Sequence, residues 1–147
     1  MLAAAMMPAV GRGEMHLLGF VGDEVAWQTG VVFTATKTAN DRHDMVERFL
    51  RAVRRGKHDY YDAFIDAAGK RHDGPGAAEA LPIMSKYLHQ PTEQLLPAIA
   101  YVDPDGRLDV KDVLHQVEWF RSQGLIKGNF DARSVIDERS IIPVPSQ

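Results

Sequence analysis

The chain is 147 residues long with 45% apolar and 25% charged residues, values of a globular sequence whose length suits one core. A net charge of −3 and a pI near 6.0 give no general attraction to nucleic acid or anionic membranes, and the lack of cysteine excludes disulfides, thiolate metal sites and cysteine nucleophiles. The apolar start is broken by Pro8, Arg12 and Glu14 with no basic segment ahead of it, and no apolar run approaches the ~20 residues of a membrane span, so neither signal peptide nor membrane insertion is expected.

Leu2 to Val10 is rich in alanine and methionine and suits a short helix ending at Gly11 and Gly13. His16 to Val21 and Gly30 to Thr36 are rich in β-branched and aromatic residues with glycine or polar punctuation, and read as two strands. Both are too apolar for a sheet with one wet face, so a sheet covered on both sides is expected. From Asn40 the spacing becomes helical: Met45, Val46, Phe49, Leu50 and Val53 recur at three- and four-residue intervals. Asn40 or Asp41 is the expected N-cap and Gly56 the expected stop.

A second helix is expected over His58 to Ala68, then a loop at Lys70 to Gly76, and a helix over Ala77 to His89 that tolerates Pro82. Thr92 is expected to cap a short helix interrupted by Pro97. The run Asp103-Pro-Asp-Gly106 reads as a turn. Asp109 is expected to cap a helix over Val110 to Gln123, with Val110, Val113, Leu114, Val117 and Phe120 as its buried stripe and Gly124 as its stop. A last short helix, Ala132 to Glu138 behind Asp131, precedes an extended tail. The expected class is therefore α/β and helix-rich, with a strand-containing segment at 1–39 followed by a helical part at 40–147.

No catalytic constellation is recognisable. Tyr101 to Asp112 nearly overlays a calcium loop, but Tyr101 stands where the first carboxylate belongs and Asp112 replaces the closing glutamate; a turn followed by an Asp109 cap accounts for every residue. Arg48, Arg51, Arg54, Arg55 and Lys57 form a basic run diluted by Asp44, Glu47, Asp59 and Asp62, which suits a solvated helix face with i,i+4 pairs such as Glu47–Arg51. The histidines at 16, 43, 58, 72, 89 and 115 lack metal or triad spacing, so no metal and no cofactor is expected. Trp119 and Phe120 read as core. What is left is the polar turn between the two apolar stretches, where Asp23, Glu24, Trp27 and Gln28 cluster as a candidate ligand site beside buried strands.

Three stretches, FVGDEVAWQTGVVFTATK, DMVERFLRAVRRGKHDYYDAF and YVDPDGRLDVKDVLHQVEWFRSQGLIKG, resemble the C-terminal half of ABC-transporter solute-binding proteins of the nitrate/sulfonate/taurine class, relatives of thiamine-pyrimidine-precursor binders. The likeness runs from about Ala3 to Pro143. It implies a partial type II periplasmic-binding-protein fold, a non-enzymatic role in binding a small molecule, an ABC permease as partner where the whole protein exists, and a periplasmic location. Without a signal peptide in these residues the cytoplasm is the alternative. Proteins of that class are about twice this length, so the chain is expected to be a single partial domain, a fragment or a stand-alone half. Carried onto this sequence, the cleft residues of the class fall on Asp23, Glu24, Trp27 and Gln28. Strands without partners should leave apolar surface exposed, so a homo-oligomer is also expected, and the alternative function is an interaction module that self-associates through this half-core.

Overall fold

The structure is a computed structural model that describes residues 3–19, 21–25 and 28–145, with the side chains of residues 3–5, 22 and 23 outside that description. It is helix-rich: α1 (Ala3–Gly11), α2 (Val21–Glu24), α3 (Thr36–Asp41), α4 (His43–Phe64), α5 (Ala77–Leu88), α6 (Thr92–Leu95) and α7 (Val110–Ser122), with 3-10 turns at Leu96–Ala98 and Ala132–Val135. Among the described residues the only β pairing is two isolated bridges, Ile65 with Arg71 and Leu108 with Pro143.

Neither expected strand is formed. Residues 16–19 and 30–35 carry no ladder, Phe20 lies outside the described residues, Val21 opens α2 and Thr36 opens α3. The side chains are those of strands, but a strand exists only through its neighbour's hydrogen bonds, and no second strand is supplied among the described residues. The helix boundaries also move. Asn40 and Asp41 end α3 instead of capping α4, and α3 carries a Lys37–Asp41 ion pair of 2.5 Å one turn apart.

The two helices expected on either side of Gly56 are one helix of 22 residues. A Cβ at Gly56 would meet nothing within 4 Å, so this glycine neither terminates the helix nor fits a close approach. The surrounding good helix formers outweigh its intrinsic cost of about 1 kcal/mol. Thr92 is the first residue of α6, whose N-cap is Pro91.

The chain divides into two compact units: 1–19 with 54–105, and 20–53 with 106–147. In the first, α1 packs on α6 and the turn after it, and α5 packs on α6. Its core is Ala63, Phe64, Ile65 and Ala77, flanked by Tyr60, Tyr61, Leu81, Met84 and Ile99. Phe64 is fully buried and Leu95 is 2% exposed. Behind Phe64 the chain reverses tightly: His72 donates to the Phe64 carbonyl at 2.9 Å and Gly74 to the Ala63 carbonyl at 2.8 Å. Asp66 organises the turn by accepting from the backbone N–H of Ala68 and Lys70 at 2.9 and 2.8 Å. A Cβ on Gly74 would stand 2.5 Å from the Asp62 carbonyl oxygen, so only glycine fits there.

In the second unit α7 packs on the turn Ala132–Val135. Leu108 donates to the Ile142 carbonyl at 2.8 Å and accepts from the Val144 N–H at 3.1 Å, tying the C-terminal tail to the start of α7. Arg139 grips Asp137 with two nitrogens, at 2.7 and 2.9 Å, and reaches Asn40 Oδ1 at 3.1 Å. The expected stripe of α7 is only half-buried, and Trp119 and Phe120 are exposed, stacked edge to face with ring centres 5.1 Å apart instead of buried. Among the described apolar residues of this unit, Ala39 is buried and the large ones are half-buried or exposed.

Candidate functional site

The polar turn begins as a single helical turn. In α2 (Val21–Glu24), the Val25 N–H donates to the Val21 carbonyl at 3.0 Å. Asp23 lies in this turn, with its side chain outside the described residues; Glu24 is exposed, and Trp27 lies outside the described residues. Gln28 is the member of the group whose surroundings are defined in detail.

Gln28 is held at the N-terminus of α7. Its backbone N–H donates to Asp112 Oδ2 at 2.7 Å, its backbone carbonyl accepts from Gln116 Nε2 at 3.1 Å, and its side-chain Oε1 accepts from the Asp109 N–H at 3.2 Å. The amide nitrogen donates to the Gly30 carbonyl at 2.8 Å. Around it, Asp109 accepts from the Asp112 N–H at 3.0 Å as the expected N-cap, and Gln116 donates to Asp112 Oδ2 at 2.7 Å. A helix start leaves N–H groups without intrahelical partners; here Gln28 satisfies that of Asp109, and Asp109 that of Asp112.

This geometry assigns Gln28 a different task from the one expected. Its amide and both of its backbone groups are engaged, so it anchors the turn to α7. Sequence reasoning missed Asp112 and Gln116 as its partners. They sit one turn apart on one face of α7, but nothing local to 109–116 indicates that residue 28 returns there. The cap at Asp109 was legible because its partner lies three residues away.

Other polar groups are engaged in pairs with one another. Glu47 sits between His43 and Arg51, one turn to either side, at 3.4 and 3.6 Å, as the solvated-face reading of the basic run requires. Asp105 pairs with His58 Nε2 at 3.3 Å. Among the described residues no three acidic or histidine side chains come close enough to hold a metal ion, and no helix is long and apolar enough to cross a membrane. Comparison with known proteins returned no matching family model, curated protein or solved structure.

Proposed function

We propose that this chain is the C-terminal part of a two-lobed, non-enzymatic solute-binding component of an ABC uptake system, taking a small molecule such as nitrate, a sulfonate, taurine or a pyrimidine precursor. The observation that carries the reading is the pair of apolar stretches at 16–19 and 30–35. They have the composition of buried strands, yet they form no ladder among the described residues, and Leu18 and Phe33 are 99% and 88% exposed. Such segments suit a sheet completed by strands from elsewhere, as in a partial type II periplasmic-binding-protein fold. The residues offered to the solute are Asp23, Glu24 and Trp27, with Gln28 holding the turn against α7. Lobe closure, which excludes water from both sides of a ligand, would supply the affinity.

A second reading, an interaction module without transport function, is favoured by the full engagement of Gln28. A thermal-shift screen with nitrate, bicarbonate, sulfonates and aminopyrimidines separates the two. Saturation at a hundred times Kd stabilises a fold by about 2.7 kcal/mol, a readily measured rise in Tm. A shift for one solute class that Trp27→Ala removes supports the solute binder, and silence across the panel supports the module.

A further inference from the structure

We propose that Asp105–Gly106 is a self-modification site, where the chain converts aspartate to isoaspartate and so becomes a substrate for enzymes that methylate isoaspartyl carboxyl groups, while its other Asp-Gly pair, Asp73–Gly74, is held unreactive. The site is independent of solute binding. Asp-Gly suits this chemistry because glycine has no Cβ to obstruct the approach of its nitrogen to the preceding side chain. The Gly106 nitrogen bonds to Asp105 Cγ and closes a five-membered succinimide, and the hydroxyl of the protonated carboxyl leaves with the amide proton as water. Water then adds to either ring carbonyl. Opening at the main-chain carbonyl frees the α-carboxylate and leaves the backbone running through the side chain, longer by one methylene. Water is the only reactant taken up. The added carbon enters at the peptide bond where the chain passes from the first compact unit to the second.

The surroundings of the two nitrogens differ. The Gly106 N–H makes no hydrogen bond among the described residues, so ring closure breaks none there. Asp105 lies in a turn with its side chain 36% exposed, open to the water that must enter and leave, and His58 Nε2 stands 3.3 Å from its Oδ1, within reach to give the departing oxygen a proton. Gly106 has a φ of 65°, a conformation that keeps a residue without Cβ at the attacking position. At the other pair the Gly74 N–H donates to the Ala63 carbonyl at 2.8 Å, beside the bond of 2.9 Å from His72 to the Phe64 carbonyl. The backbone there is crowded as well, since a Cβ on Gly74 would stand 2.5 Å from the Asp62 carbonyl oxygen. Ring closure at Asp73 must first break the Ala63 bond and swing the nitrogen away from the end of α4.

Cleavage after lysine and arginine puts the pairs on separate peptides, 72–86 and 87–107. The full chain is aged in neutral buffer, once native and once unfolded in guanidinium. Isoaspartate is then counted in each peptide by methyl transfer from S-adenosylmethionine with an isoaspartyl carboxyl methyltransferase, and located by electron-transfer fragmentation. In the native chain 87–107 should gain isoaspartate about fivefold faster than 72–86, the factor that one hydrogen bond of ordinary net strength sets against opening at Gly74. In the unfolded chain the two rates should approach each other. Asp105→Glu keeps the carboxylate but would need a six-membered ring, so it should remove most of the methyl uptake of the native chain. A native ratio no greater than the unfolded one, or a native chain that gains no isoaspartate at 105 while the unfolded chain does, overturns the proposal.

Discussion

At the scale of single residues, stability in the first unit depends on side chains that bridge distant backbone. Tyr60 donates its hydroxyl to the Ala100 carbonyl at 2.9 Å and accepts from the Ala100 N–H at 3.1 Å, joining α4 to a segment 40 residues later. Tyr60→Phe keeps the ring against Phe64, 5.2 Å between centres, and removes both bonds. About 1–2 kcal/mol should be lost on urea unfolding, the usual worth of such bonds at a half-buried site. Burial raises the Tyr60 phenol above its ordinary value of 10.0, opposed by the Ala100 bond and by Arg71. The unfolded chain therefore ionises first, and stability should fall as pH rises through 10, a dependence the phenylalanine variant should lack. Gln28→Ala tests the clasp in the second unit. It leaves the Asp109 N–H without its acceptor, so about 1 kcal/mol of stability should disappear at neutral pH. An unchanged midpoint for Gln28→Ala would free this residue for a ligand instead.

At the scale of elements, the same substitution should have opposite signs at two glycines. Gly56 lies inside α4 with open space around its missing Cβ, so Gly56→Ala should stabilise by up to about 1 kcal/mol. At Gly74 a methyl group would meet the Asp62 carbonyl oxygen at 2.5 Å, so Gly74→Ala should cost about 1–3 kcal/mol in the same denaturant titration. Elements whose cause is local were legible in the sequence. The Asp109 and Asp131 caps are present, the latter accepting from the Arg133 N–H at 2.9 Å, and Gly124 takes the positive φ of a helix stop. Gly56 misled because a breaker in isolation is tolerated once flanking turns propagate the helix. The strands misled for the converse reason. Val31, Val32 and Phe33 record a preference for a pleated, half-buried surface, and that preference becomes a strand only where a ladder partner exists. The candidate site was legible as a polar turn, but its one well-defined contact set joins residues more than 80 positions apart, which no local pattern encodes.

At the scale of the whole chain, the balance between buried and exposed apolar groups sets the last prediction. The accessible surface is 11064 Å², whereas two separate folded bodies of half this mass each would together expose roughly 9000 Å² by the scaling of monomeric proteins. The excess includes large apolar side chains: Leu17, Leu18, Val31, Val32, Phe33, Phe49, Trp119 and Leu125 are all exposed. A net charge of −3 opposes association only weakly. The native chain should therefore bind the apolar dye ANS at neutral pH without denaturant, a behaviour uncommon in folded monomers. If self-association covers part of this surface, dye fluorescence per chain should fall as protein concentration rises. A native chain with no ANS enhancement at any concentration would mean that its apolar side chains are covered in solution.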